Sequence, residues 1–222
     1  MNSIKKNKVT TEIKKEKYNK EISYQITLTE EQRKVKTDFY TYDINFVFGD
    51  YGSGKTAIAC LIALDSLFKK QKSKIIIARP IDFKATGYLS GPLESKLEYH
   101  LMPIMQNFYT IYNKEKITKL ISDGAIQMLP IDYMRGLTFQ DAVVIIDEIN
   151  ELSYEDFELI LTRLGKDSKI IFTGSKQQIR KGFRSCIENI EKLENSGLVG
   201  YNILKSNHRN DGIQKVLDYL RS

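Results

Sequence analysis

The stretch Phe46-Val47-Phe48-Gly49-Asp50-Tyr51-Gly52-Ser53-Gly54-Lys55-Thr56 decides the reading of this chain. A short apolar run ends on glycine, the pattern of a buried strand. Residues 49–56 then fit G-x-x-x-x-G-K-[ST]. Beyond Lys55, Ile58, Leu61, Ile62, Leu64 and Leu67 recur at helical spacing. Strand, glycine loop and helix form the context in which this pattern cradles phosphate. Glycines let successive backbone N–H groups converge on phosphate oxygens, and the helix start adds its positive end. Lys55 is placed to reach the β and γ phosphates, and Thr56 to offer its hydroxyl to Mg²⁺. Gly49, Asp50, Tyr51, Gly52, Ser53, Gly54, Lys55 and Thr56 are therefore the candidate nucleotide-binding set. Asp50 should point away from the nucleotide, because a carboxylate beside phosphates is repelled. A chance glycine turn is the plain alternative.

Working outward, apolar runs alternate with helical patterns. Strand-like runs are expected at 74–78, 126–129, 143–146, 169–172 and 198–204. Helices are expected at 55–70, 93–109, 114–121, 154–164 and 212–220, with a loop over 81–92. Before the phosphate loop, Thr29 is a candidate N-cap with Gln32 three residues on, a capping-box spacing. Alternating strands and helices predict an α/β fold: a mostly parallel sheet flanked by helices on both faces. No linker interrupts the pattern, so residues 25–222 are expected to form one domain.

A second motif follows some ninety residues later. Val143-Val144-Ile145-Ile146-Asp147-Glu148 is an apolar strand closing in two carboxylates. Neighbouring strand residues face opposite ways, but strand ends splay, so both acids can address one site. Asp147 is the candidate metal-side carboxylate. Glu148 is the candidate base that orients and deprotonates an attacking water. A pair of acids opening the next helix is the competing reading. A third run, Lys169-Ile170-Ile171-Phe172, leads into Thr173-Gly174-Ser175-Lys176-Gln177-Gln178. Polar side chains at that tip are expected to face the γ phosphate, with Gln178 as its sensor.

Composition narrows the class. Of 222 residues, 41% are hydrophobic and 28% charged, which is a globular balance. No run of eighteen apolar residues predicts a membrane span, and no apolar segment follows the first lysines as a secretory signal requires. Residues 1–20 hold seven lysines against two glutamates, a net +5, which leaves +1 of the total +6 for the other 202 residues. Residues 1–24 thus read as a basic, flexible leader on a nearly neutral body. Cys60 and Cys186 lie far apart among apolar neighbours, as reduced core thiols of a cytoplasmic protein do. Two histidines and two cysteines, none closely spaced, offer no zinc site.

With these strand tips placed, the sequence resembles the PhoH-like family of RecA-like P-loop ATPases, near the superfamily-1 helicases. The resemblance runs over about residues 25–221. Gln32 resembles the family's adenine-reading glutamine. Arg79-Pro80, then Gly87-Tyr88-Leu89-Ser90-Gly91, Lys96 and Pro103, resemble its long loop and helix. Met134-Arg135-Gly136-Leu137-Thr138-Phe139 resembles M-R-G-R-T-L, with Leu137 in place of the second arginine. Asp147-Glu148-Ile149-Asn150 resembles D-E-A-Q. The segment from Gly174 to Ile179 resembles G-D-P-x-Q-I, with Ser175 for aspartate and a cationic Arg180 following. Arg209, in Asn207-His208-Arg209-Asn210, resembles the family's C-terminal arginine.

The resemblance implies a RecA-like P-loop NTPase that hydrolyses ATP with Mg²⁺. Lys55, Glu148, Gln178, Arg135 and Arg209 become the catalytic candidates, and Thr56 and Asp147 the metal ligands. One catalytic domain with arginines remote from the phosphate loop implies a homo-oligomer, a hexameric ring, whose finger comes from the same chain or a neighbour. Two uses of hydrolysis stand side by side. One is a helicase-like motor stimulated by single-stranded RNA or DNA, for which the leader supplies charge and Tyr88, Tyr109 and Tyr133 supply stacking surface. The other is a nucleotide-dependent assembly or interaction module, which the near-neutral body favours. A small-molecule kinase is a third class, for which no acceptor pocket is legible.

Overall fold

The strand register places the sites. In the computed structural model, residues 26–80, 93–178, 185–205 and 219 are described, with side chains in the second stretch from residue 99 onward. Six strands form one sheet: β1 (Ile44–Gly49), β2 (Lys74–Ala78), β3 (Ile126–Met128), β4 (Ala142–Ile146), β5 (Lys169–Gly174) and β6 (Gly200–Leu204). Their order is β3-β2-β4-β5-β1-β6, and every pairing is parallel. All the described strands therefore end on the same side. β5 lies between the phosphate-loop strand β1 and the acidic strand β4, so its tip sits between both motifs.

Parallel strands need crossovers, and the helices supply them. They are α1 (Glu30–Thr41), α2 (Lys55–Phe68), α3 (Leu93–Ile111), α4 (Lys114–Ser122), α5 (Tyr154–Leu161) and the short α6 (Ile187–Glu191). The period-2 alternation of each strand splits the core in two. Val47, Ile75, Ile77, Val143, Ile145 and Ile171 pack on one face with α1 to α4. Phe46, Phe48, Ile76, Val144, Ile146 and Phe172 pack on the other with α5 and α6. The expected sandwich of helices on both faces is present. Every residue of β4 is buried, which is why its sequence is apolar without alternation.

The differences from the sequence reading lie at element ends. α5 stops at Leu161, three residues short of the expected helix, because Arg163 donates its side-chain Nη1 to the Arg135 carbonyl while its own carbonyl takes the Phe139 N–H. β5 runs two residues past Phe172 and carries Thr173 and Gly174 into the sheet. α6 was not legible: five residues are too few for a helical period to show. The expected leader 1–24, loop 81–92 and helix 212–220 lie outside the described residues, Tyr219 apart. No described helix is long and apolar enough to cross a membrane.

Candidate functional site

The loop after β1 is shaped by its glycines. Gly52 and Gly54 take φ of 79° and 82°, the left-handed region that side-chain-bearing residues avoid. A Cβ on Gly49 would lie 2.5 Å from Ser53 Oγ and 2.7 Å from the Leu204 carbonyl, so only glycine lets β6 and the loop close together. Ser53 is buried and its hydroxyl oxygen has no partner among the described residues. α2 begins at Lys55 with Gly54 as its N-cap and no side chain capping it. Its first amides are directed at whatever occupies the loop. Lys55 Nζ donates to the Asp50 carbonyl at 3.0 Å. Asp50 thus serves through its backbone, and its side chain does not line the cleft.

The acidic tip meets this loop. Thr56 Oγ1 donates to Asp147 Oδ1 at 2.9 Å, and Thr173 Oγ1 of β5 donates to the same oxygen. Asp147 is 5% exposed, and its N–H continues the ladder to the Ala78 carbonyl at 3.0 Å. The first turn of α2 and the tip of β5 are thereby bonded to one carboxylate at the tip of β4, with the tip of β2 held beside it by the ladder. Glu148 then turns into the left-handed region, with φ 56° and ψ 48°, a conformation that costs a non-glycine residue about 1–3 kcal/mol. This turn lets consecutive acids share one cleft. Burial raises the Glu148 carboxyl above its ordinary range; Asp147 pushes it the same way, Arg79 and Lys55 pull it back, and Glu151 raises it further.

The cleft holds about 520 Å³. Tyr51, Gly52, Gly54, Lys55 and Thr56 form one wall, Asp147 and Glu148 the floor. The third wall is α3, which contributes Pro103, Gln106, Asn107 and Thr110. Helical spacing places these four on one face, but nothing in the sequence marks that face as lining a site. Arg79, at the tip of β2, completes the lining, with its Nη2 3.7 Å from Glu148 Oε1. Arg79 is a site residue that motif reading quoted without a role. Asn150 was also quoted without a role: it is buried two residues after Glu148, outside the lining, and its Oδ1 accepts the Ser175 N–H at 3.2 Å.

Other expected residues stand apart. Gln32 completes the capping box of α1: Thr29 N–H donates to its Oε1 at 3.1 Å and Gln32 N–H to Thr29 Oγ1 at 3.2 Å. It does not line the cleft. Arg135 lies on a 3₁₀ turn, Ile131–Gly136, and pairs with Asp156 at 2.9 Å on the surface, so this chain does not bring it to its own cleft. Gln178 also lies outside the lining, with a buried amide nitrogen that has no partner among the described residues. At the β5 tip it is Thr173, not Gln178, that reaches the acidic strand. Arg209 lies outside the described residues. Of the tyrosines, Tyr133 is 57% exposed, whereas Tyr109 packs against the core with Lys114 over its ring.

Among the described residues no group of three or more acids, histidines or cysteines could cage a metal. The hydroxyl of Thr56 and the carboxylate of Asp147 are hard oxygen donors held side by side. That pair fits Mg²⁺, which takes few protein ligands and completes its shell with phosphate oxygens and water.

Comparisons with known proteins bear on the family and the fold. The sequence model of the family described as PhoH-like protein matches residues 26–217. The PhoH-like protein of Mycobacterium tuberculosis is 36% identical over 159 residues, covering 68% of this chain and 45% of that protein. The PhoH-like protein of Bacillus subtilis is 34% identical, covering 69% of this chain and 50% of its own length. The chain thus spans about half the length of the curated relatives it matches. Among solved structures, the large terminase from a thermophilic bacteriophage aligns with a TM-score of 0.51 at 13% identity, over 87% of this chain and 50% of that one. The UvsW helicase from bacteriophage T4 aligns with a TM-score of 0.50 at 14% identity, over 83% and 62%. At such identities these two speak for the fold alone. Fold, phosphate loop and family match together make this a P-loop NTPase fold, and the chain belongs to the PhoH-like family.

Proposed function

We propose that the chain binds ATP with Mg²⁺ in the cleft between the phosphate loop and α3 and hydrolyses it. The observation that carries this reading is the Thr56–Asp147–Thr173 cluster at the foot of the loop, with Glu148 beside it. Backbone amides of residues 52–56 bind the phosphates, and Lys55 exchanges the Asp50 carbonyl for a phosphate oxygen. Thr56 and Asp147 would hold Mg²⁺, which when bound screens the phosphate charge. Glu148 accepts a proton from water as its oxygen attacks the γ phosphorus. The bond from that phosphorus to the bridging oxygen breaks, and ADP and phosphate leave.

The use of this hydrolysis is a helicase-like motor on single-stranded RNA or DNA. The family membership supports it, as do the net +5 of residues 1–20 and the exposed Tyr133. Arg135, exposed and outside the lining of its own cleft, supports a homo-oligomeric ring in which it or Arg209 serves a neighbour's site. The test is ATP turnover while single-stranded RNA is titrated in, with Lys55→Ala as the blank. Saturable stimulation that weakens steeply with salt is expected. Steady turnover indifferent to RNA would instead favour a nucleotide-dependent assembly module. Normal turnover in Lys55→Ala would remove the phosphate-loop reading.

A further inference from the structure

We propose that Arg79 is the positioning residue for Glu148: a cation supplied by this same chain, at the tip of β2, that holds the water-activating carboxylate over the cleft. The inference rests on the reading of this cleft as a hydrolytic site.

Three features of the backbone set Arg79 opposite Glu148. β2 and β4 pair in parallel with Ala78 beside Ile146. The ladder then runs one bond past the strands, from Asp147 N–H to the Ala78 carbonyl. Arg79 and Glu148 are therefore carried forward by two strands that stay bonded up to the last residue before the cleft. Pro80 follows Arg79 and disfavours a helical turn there.

The side chains complete the case. Glu148 Oε1 lies 3.7 Å from Arg79 Nη2, and both side chains are about three-quarters buried, at 23% and 24% exposed. Both line the cleft. Glu148 enters from a left-handed backbone turn that does not fix its side chain. Asp147 and Glu151 stand near it with like charge, and Lys55 and Arg79 with opposite charge. Lys55 Nζ already reaches the Asp50 carbonyl and is the group that engages phosphate in the proposed reaction. Among the described residues, Arg79 is the other cation beside Glu148, placed to keep it from swinging away from its acidic neighbours. At 3.7 Å the pair is coulombic rather than a direct hydrogen bond. It attracts the carboxylate without occupying it, and leaves its lone pairs for water.

This predicts a pattern that neither a structural role nor a direct phosphate contact produces. ATP turnover and nucleotide affinity are measured for the wild-type chain, Arg79→Gln, Arg79→Lys, Glu148→Gln and the double variant Arg79→Gln/Glu148→Gln, each checked for a native melting transition. Arg79→Gln is expected to lower kcat about 10–100-fold, the usual cost of a misplaced catalytic group, with KM and nucleotide affinity nearly unchanged. In the Glu148→Gln background the same change should cost less than about twofold, because residues that act as a unit are not additive. Arg79→Lys should recover most of the loss, since a coulombic pair at this distance does not need the guanidinium fork. Equal losses in both backgrounds, a loss confined to nucleotide affinity, or a kcat unchanged in Arg79→Gln would overturn the proposal. If Arg79→Gln does not fold, Arg79→Lys decides: a folded lysine variant as slow as Glu148→Gln is equally contrary. A wild-type chain that binds ATP but never turns it over would overturn the hydrolytic reading first, and this inference with it.

Discussion

Asp147 and Glu148 are neighbours in sequence, yet the structure gives them different supports. Asp147 is held by two hydroxyls, from Thr56 and Thr173, while Glu148 sits on a left-handed backbone turn with Arg79 beside its carboxylate. Removing the Thr173 hydroxyl as Thr173→Val leaves Asp147 with Thr56 as its remaining side-chain donor among the described residues. The Mg²⁺ concentration that half-saturates turnover should then rise about tenfold or more, the usual cost of losing a group that orients a metal ligand. Turnover at saturating Mg²⁺ should stay close to wild type. An unchanged Mg²⁺ titration would show that Thr173 plays no such part. At this scale the sequence was legible where chemistry demands a residue type in a fixed frame: the loop glycines, Lys55, Thr56 and the two acids. It was less legible where a role depends on which strand lies next to which. Thr173 matters because β5 sits between β1 and β4, and Arg79 because β2 borders β4. Neither adjacency is written in any local motif. Gln32 shows the reverse case, since its spacing from Thr29 foretold the capping box that now occupies its carbonyl oxygen.

The elements hold the site rigid by packing the helix of the phosphate loop between neighbours. α2 is buried along most of its length, from Ile58 to Ser66, and α1 is tied to it through Asp65. Lys36 of α1 reaches the Asp65 carboxylate at 2.5 Å, and Lys69 at 3.1 Å. Burial raises the Asp65 carboxyl, but the hydrogen bonds and charges of Lys36 and Lys69 outweigh it, and the net shift is downward. A carboxyl lowered by folding stabilises the fold above its unfolded value, near 3.9, and loses that contribution as pH falls through its folded value. Asp65→Asn should therefore melt below wild type at pH 7, by about 1–3 kcal/mol for a charged hydrogen-bond pair. The gap should close in strongly acidic solution. A gap independent of pH would assign the loss to packing instead. The strands and long helices were legible because alternation and helical spacing persist over enough residues. The role of α3 was not. Its cleft face of Pro103, Gln106, Asn107 and Thr110 reads as an ordinary polar helix until the sheet brings it opposite the loop.

For the whole molecule, the six-stranded parallel sheet brings the described strand tips to one side, and the cleft lies there. Ligand sites of open parallel sheets lie at that edge, so fold class and site position were foreseeable together from alternating strands and helices. The expectation of a ring came from the family resemblance and the remote arginines, because no interface motif is local in sequence. With Arg135 engaged on the surface by Asp156, light scattering with ATP bound should report an assembly larger than one chain. A monodisperse single chain that is still fully active would end the ring hypothesis. The central claim is that the cleft hydrolyses ATP with Glu148 as its base, and the most direct test compares the wild-type chain with Glu148→Gln for ATP binding by calorimetry and for turnover in the presence of Mg²⁺. ATP should bind both with nearly equal affinity, and turnover in the variant should fall about 10²–10⁴-fold, the range for removing a general base. A variant that turns ATP over at the wild-type rate would contradict the account.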